Sequence, residues 1–277
     1  MEIRQQYLTG ERALYNTHNA TIIDTTFDNG ESPLKESSDL KIYNSIFKWK
    51  YPLWYSKNVY LKNTSLIELA RSGIWYTTNI TFEDSTIAVP KTFRRSKDIT
   101  LKNTTLPVAE ETFWMCEGIN LENVSSNGNY FMMNSHNILI NGFNHNGNYL
   151  LDGAKNVEIH NARIISKDAF WNCENVVVYD STIIGEYLGW NSKNIKFVNC
   201  TIDSLQGMCY IDGIVMENCK LLNTNLSFEY SKVDATIDSK IDSVKNPISG
   251  RIKAKGIGEI ILDEDLIDPN KTKIEVL

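Results

Sequence analysis

Three observations predict an all-β chain folded as a parallel β-helix of about twelve coils. A cassette recurs every 19 to 21 residues, apolar and polar residues alternate within it, and its corners carry Asn, Asp or Gly. The clearest copy is Ser192–Ile202, S-K-N-I-K-F-V-N-C-T-I. The same pattern stands one period upstream as E-N-V-V-V-Y-D-S-T-I, and one further as K-N-V-E-I-H-N-A-R-I.

The first Asn of the cassette anchors a column: Asn19, Asp39, Asn58, Asn79, Asp98, Gly118, Asn137, Asn156, Asn175, Asn194 and Gly213. Five residues on, a second column runs from Asp24, Asn44 and Asn63 to Asn199 and Asn218. All three residue types tolerate positive φ, so each column reads as a corner. Between corners the alternation points Val59/Leu61, Ile80/Phe82, Ile99/Leu101, Val157/Ile159 and Ile195/Phe197 inward. Leu66, Ile87, Leu106, Ile164, Ile183, Ile202 and Leu221 form a third apolar column. The unbroken period argues for one domain over 1–277, with coils over 18–243.

In chain order, residues 1–17 precede the first anchor and are expected to cap the open sheet edge. Gly30–Ser38, G-E-S-P-L-K-E-S-S, reads as a polar loop. Asn127-Gly128-Asn129-Tyr130 and Asn146-Gly147-Asn148-Tyr149 repeat one tetrapeptide, and two such turns would make a notch. Residues 244–277 read as a last coil, or a closing hairpin, followed by a C-terminal cap or docking strand.

A net charge of −6 disfavours generic phosphate-backbone binding, so no nucleic acid is expected, and it gives no help to docking on an anionic membrane. The start, M-E-I-R-Q-Q-Y-L-T-G, lacks a signal-peptide pattern, and no apolar run is long enough to span a bilayer. Five cysteines, an odd number, point the same way, to a cytoplasmic location. Cys200 and Cys219 share a column and read as stacked buried thiols. The four histidines, 18, 136, 145 and 160, show no metal spacing, and no phosphate loop or nucleophile elbow occurs, so neither metal nor cofactor is expected.

Two adjacent columns carry the candidate chemistry. Four residues before each anchor stand Trp54, Trp75, Arg94, Trp114, Met133, Asp152, Trp171, Trp190 and Cys209. The preceding residues, Leu53, Ile74, Phe93, Phe113, Met132, Leu151 and Phe170, are apolar and face the opposite way. Burying Arg94 or Asp152 unpaired is costly, so the Trp column is expected outside, as an aromatic stripe. A stripe of this kind suits sugar rings or a protein partner. A neighbouring column pair is rich in charge. Lys50, Arg71 and Lys91, with Arg94 and Arg95, would form a basic patch against Glu110/Glu111, while Lys167, Asp168 and Glu186 would lie near Asp152. Neighbouring carboxylates shift each other's pKa and can divide into acid and base.

The Asn-anchored cassette resembles the right-handed parallel β-helices of the pectin-lyase-like superfamily. Within it, G-E-R-A-L (10–14), G-E-S-P-L-K-E-S (30–37), K-Y-P-L-W-Y-S (50–56), S-K-D-A-F-W (166–171) and G-E-Y-L-G-W-N-S (185–192) look like an uncharacterised bacterial family. The resemblance implies a polysaccharide that is bound, cleaved, epimerised or deacetylated in a groove beside the stacked sheets. The polygalacturonase motifs are absent except for Arg251-Ile252-Lys253. The leading expectation is therefore a carbohydrate-binding or carbohydrate-active protein of hydrolase or lyase type, taking a neutral oligosaccharide or an acidic sugar. Trp54, Trp75, Trp114, Trp171 and Trp190 would be platforms, with Arg71, Lys91, Arg94, Arg95 and Lys167 holding charged groups. Glu111, Asp152, Asp168 and Glu186 would serve as acid and base. The alternative is a non-catalytic scaffold whose stripe docks a protein or a second copy of the chain.

Overall fold

The computed structural model describes residues 1–277 and contains strands, short turns and a single 3-10 turn at Pro269–Lys271. The architecture is a right-handed parallel β-helix of about fourteen turns. Two compact units divide the chain, Met1–Asn144 and His145–Leu277.

In the first unit each coil places a six-residue strand after the Asn/Asp corner, as at His18–Ile23, Ser38–Tyr43, Lys57–Lys62, Thr78–Glu83 and Lys97–Lys102. Parallel register puts Ala20, Leu40, Val59, Ile80, Ile99 and Ile119 side by side. All are buried. Ring stacks fill the interior, with Phe27 on Phe47 and Phe93 on Phe113, each at 4.6 Å between centroids. Burying each such side chain contributes about 1.5–3 kcal/mol. The second unit repeats the design, with Val157, Val176, Ile195, Ile214 and Val233 in register.

Corner residues adopt positive φ, 53° at Asn58 and 49° at Asn63. Their amides form ladders: Asn58 Nδ2 donates to Asp39 Oδ1 (2.8 Å), and Asn79 Nδ2 to Asn58 Oδ1 (3.0 Å). In the second unit Asn194 donates to Asn175, and Asn175 to Asn156. A carboxylate has no donor to pass on, so Asp39 can only accept from this ladder.

Each coil has two further left-handed corners that the residue types do not announce. One holds Tyr51, Ser72, Lys91 and Glu111, the other Tyr55, Tyr76, Arg95 and Met115, with φ of 48–61°. Turning the backbone there frees inner N–H and C=O groups, and buried hydroxyls satisfy them. Ser96 Oγ accepts from Thr77 N–H and donates to the Ile74 carbonyl, both at 3.1 Å. Ser135, Ser192 and Ser231 do the same elsewhere in this column, and Ser56 Oγ donates to the Leu34 carbonyl.

The N-terminal end differs from expectation, whereas the C-terminal end follows the last-coil alternative. Residues 1–17 are no cap but a coil: Glu2–Arg4 pairs in parallel with Thr21–Ile23, Tyr7–Leu8 with Thr26–Phe27, and Arg12 N–H bonds Glu31 O. Gly30–Ser38 is no free loop either. Leu34 is fully buried and its N–H bonds Pro52 O, because this segment is an ordinary corner of its coil. At the other end Lys232–Lys245 and Ser249–Ile261 pair in parallel, which excludes a hairpin. Thr272–Val276 then adds a further parallel strand. These extra turns account for the count above twelve. All five cysteines are unbridged and buried.

Candidate functional site

The alternation Leu53-Trp54, Ile74-Trp75, Phe93-Arg94 and Phe113-Trp114 sends the first member of each pair fully into the core and leaves the second half-buried outside. Successive coils bring the outer members into a stack. Trp54 and Trp75 lie 5.0 Å apart at 9°. Tyr51 covers the other side of Trp54 at 4.6 Å. The Arg94 guanidinium sits between Trp75 (5.1 Å) and Trp114 (4.3 Å). Rings stacked at the coil spacing turn their faces to each other and only their edges to solvent. The indole donors are also engaged: Trp54 Nε1 with Ser72 O (2.5 Å), Trp75 Nε1 with Lys91 O (3.0 Å) and Trp114 Nε1 with Tyr130 O (2.7 Å). The column is outside as expected. Yet Trp54 and Trp75 have both faces covered and Trp114 has one covered by Arg94, so this stretch cannot receive a sugar ring as the expected platform would.

The charged columns resolve into ion pairs rather than two patches. Glu111 takes Arg94 (2.6 Å) and Lys91 (3.2 Å), and Glu31 takes Lys50 (3.1 Å). Glu111 is thus an anchor for two cations, and Lys91 and Arg94 are not open to an acidic ligand. Arg71 is exposed. Arg95 lies 6.0 Å over Tyr76, which stacks on Tyr55 at 4.8 Å and 4°. This second ladder was missed because Tyr and Arg do not signal a corner.

In the second unit the same column reads Asp152, Trp171, Trp190, and the arrangement is looser. Asp152 Oδ1 accepts from Asn172 Nδ2 (2.9 Å), itself bonded by Asn191 Nδ2 (2.8 Å). Lys167 pairs with Glu186 at 2.7 Å. Asp168 stands at a left-handed corner (φ 49°) and makes no ion pair. Burial lifts its carboxyl above the ordinary range; Lys167 opposes this, and Asp152 and Glu186 add to it. Trp190 is 36% exposed and packs on Tyr210 at 4.3 Å, with Tyr187 edge-on at 5.9 Å. Trp171 meets Tyr149 at a tilt of 35° and 5.5 Å. So Asp152, Lys167, Asp168, Trp171, Glu186 and Trp190 belong to one face of one unit, whereas Glu111 and the five arginine and lysine residues grouped with it lie in the other.

The tetrapeptide turns do not make a notch in the first unit. A Cβ on Gly128 would fall 2.5 Å from the Ala109 carbonyl carbon, so that turn packs flush on the preceding coil. His145 is buried, and burial pushes its pKa down to about 4, leaving it neutral at pH 7. The depressions lie elsewhere, on the strands that follow the Asn corner. One of about 440 Å³ is lined by Asn19, Asp39, Lys41, Asn58, Tyr60 and Asn79. Another of about 340 Å³ is lined by Asn175, Val177, Asn194, Lys196, Gly213 and Val215. No group of three or more His, Cys, Asp or Glu is placed to hold a metal ion.

Residues 1–275 match the model of the family described as "Protein of unknown function (DUF3737)". The chain belongs to this family. No curated protein matches it. Among solved structures, it is similar to the A-module of the Azotobacter vinelandii mannuronan C-5 epimerase AlgE6, at 11% identity over 95% of this chain and 89% of that one, with a TM-score of 0.41. It is also similar to PfbA, a surface adhesin of Streptococcus pneumoniae, at 12% identity over 80% of this chain and 72% of that one, with a TM-score of 0.39.

Proposed function

We propose that the protein is a carbohydrate-active β-helix whose substrate, a neutral oligosaccharide, lies across the Asp168 face of the second unit. The observation that carries this reading is Asp168 itself. It is a half-buried carboxyl without an ion-pair partner, held toward its protonated form, on the face that carries Trp171 and the exposed Trp190–Tyr210 pair. A carboxyl in this state suits a general acid toward a glycosidic oxygen. Asp152, kept in place by Asn172, is the partner carboxylate, and Glu186 is neutralised by Lys167. With its cation already paired and a net charge of −6, the face favours a neutral sugar over an acidic one. Trp190 and Tyr210 offer the apolar surface against which a sugar ring packs.

The test combines a thermal-shift screen of neutral and acidic oligosaccharides with a reducing-end assay on any sugar that shifts Tm. A ligand at 100 times its Kd stabilises the native state by about 2.7 kcal/mol. Asp168→Asn should retain the shift and lose turnover by about 100-fold or more. A panel that never moves Tm, or an Asp168→Asn variant with native turnover, would refute the reading.

A further inference from the structure

The coil period places a histidine, a serine and an asparagine of the first unit in contact, although they lie up to 22 residues apart. His18 Nδ1 is 2.9 Å from Ser38 Oγ, and His18 Nε2 is 3.0 Å from Asn16 Oδ1. An amide oxygen only accepts, so Nε2 carries the ring proton and Nδ1 presents its lone pair to the serine hydroxyl. Nucleophile, base and base-orienting group thus stand in sequence, each within hydrogen-bond reach of the next. We propose that Ser38, His18 and Asn16 form a serine-nucleophile site that hydrolyses an ester of a hydroxyl-rich alcohol. This site goes beyond the Asp168 reading and is independent of it.

Neighbouring residues complete the site. Parallel register sets His18 against one side of Ser38 and Lys57 against the other. Lys57 makes no ion pair and holds the strand position of Ser38 on the following coil, which puts a cation within one coil of the charge a carbonyl oxygen would gain. Asp39 Oδ2 also stands 2.8 Å from Ser38 Oγ, so it shares the one hydroxyl proton with His18 Nδ1, and Asp39 Oδ1 accepts from Asn58 Nδ2 at 2.8 Å. The bonds from Asn58 and then Ser38 keep its carboxyl below the ordinary range. Asn19 and Asp39, adjoining His18 and Ser38, begin the groove of about 440 Å³ that continues past Lys41, Tyr60 and Thr81. Its hydroxyl, phenol and ammonium lining suits a polyhydroxylated alcohol portion.

The chemistry balances without a cofactor. Ser38 Oγ bonds to the acyl carbon as its proton passes to His18 Nδ1. The tetrahedral adduct collapses, the bond from carbon to the alkoxy oxygen breaks, and His18 returns the proton to the departing alcohol. Water then attacks the acyl-serine with its proton taken by His18, the bond to Oγ breaks, and Ser38 regains the proton as the acid leaves.

Two measurements on the full chain test this. Hydrolysis of p-nitrophenyl acetate is followed for native protein, Ser38→Ala and His18→Ala, with circular dichroism confirming the fold of each. A fluorophosphonate probe, located by mass spectrometry, reports the nucleophile directly. The expected result is an adduct on Ser38 that His18→Ala suppresses, and turnover falling about 100-fold or more in both variants. Asn16→Ala should slow turnover while Asn16→Asp restores it, as an orienting rather than a merely structural group would. A folded protein that gives no adduct on Ser38, or a Ser38→Ala variant as fast as native, would overturn the proposal.

Discussion

Four residues before the Asn corner, the same column does different work in the two units. In Met1–Asn144 it reads Trp54, Trp75, Arg94, Trp114, and successive members stack with their faces closed and their indole donors spent on backbone carbonyls. In His145–Leu277 it reads Asp152, Trp171, Trp190, and its indoles pair with tyrosines of other columns instead, Trp171 tilted on Tyr149 and Trp190 stacked on Tyr210 with Tyr187 edge-on. A contiguous run of flat side chains at the coil spacing satisfies itself and becomes structure. A carboxylate at the head of the run leaves the indoles that follow without that closed stack, and leaves a charge that must be managed. The occupants of a column, rather than its position, decide whether it is structural or open to ligand.

Truncating one ring in each unit breaks or sharpens this contrast, and it carries the largest expected effect. Trp75→Ala removes contacts on both faces and the bond to Lys91 O, and should destabilise by about 2–4 kcal/mol. Trp190→Ala removes a more exposed ring and should cost less than about 1 kcal/mol while weakening any sugar-induced shift. Chemical denaturation of both variants measures the difference. Equal losses would show that the two halves of the column are alike.

The next effect concerns the one cation in the closed stack. Arg94 is only 18% exposed, and its Nε is buried without a partner. Its charge is balanced by Glu111, which also holds Lys91. Glu111→Ala would strand a half-buried guanidinium and should destabilise by about 1–3 kcal/mol. Arg94→Trp, which completes the aromatic ladder and needs no counter-charge, should be neutral or stabilising. Urea midpoints separate these outcomes, and a Glu111→Ala variant as stable as native would mean the ion pair is only a surface contact.

The contrast also shows what residue identity conveys. Asn58, Asn63 and their column mates announce corners because Asn, Asp and Gly accept positive φ at little strain, and Val59/Leu61 announce strand by alternation. Tyr51, Tyr55, Lys91 and Arg95 occupy equally left-handed positions without any such sign, since the closed coil imposes the conformation on side chains that do not favour it. Residues 1–17 and Gly30–Ser38 were misjudged partly for that reason: corners fall at Gln5, Arg12, Ser32 and Glu36, and only Gly10 and Asn16 carry the sign. Column membership was legible, so Asp152, Asp168, Glu186, Trp171 and Trp190 could be grouped correctly. Ring orientation was not, because period-two alternation says which side a residue faces and nothing about the plane of its ring. His18 and Ser38 share one cassette position on successive coils, and with Asn16 they escaped notice because that column, which continues as Lys57, repeats no residue type.

The smallest effect has the most diagnostic sign. A carboxyl whose proton is held more tightly in the folded than the unfolded chain stabilises the fold at low pH, and that contribution is lost as pH rises through its folded-state value. Asp168 is such a group, with burial as the main cause. Asp168→Asn has no charge to desolvate, so at neutral pH it should melt slightly above native, by about 1–2 °C. The gap should close as the pH falls below the ordinary carboxylate range, where Asp168 is protonated in both states. Because the group is only partly buried, solvent screens part of the penalty and the rise stays small. Melting curves at neutral and acidic pH read this directly. A variant that melts below native at pH 7 would mean that the Asp168 carboxylate supports the fold, and the case for a destabilised acid retained for chemistry would fall with it.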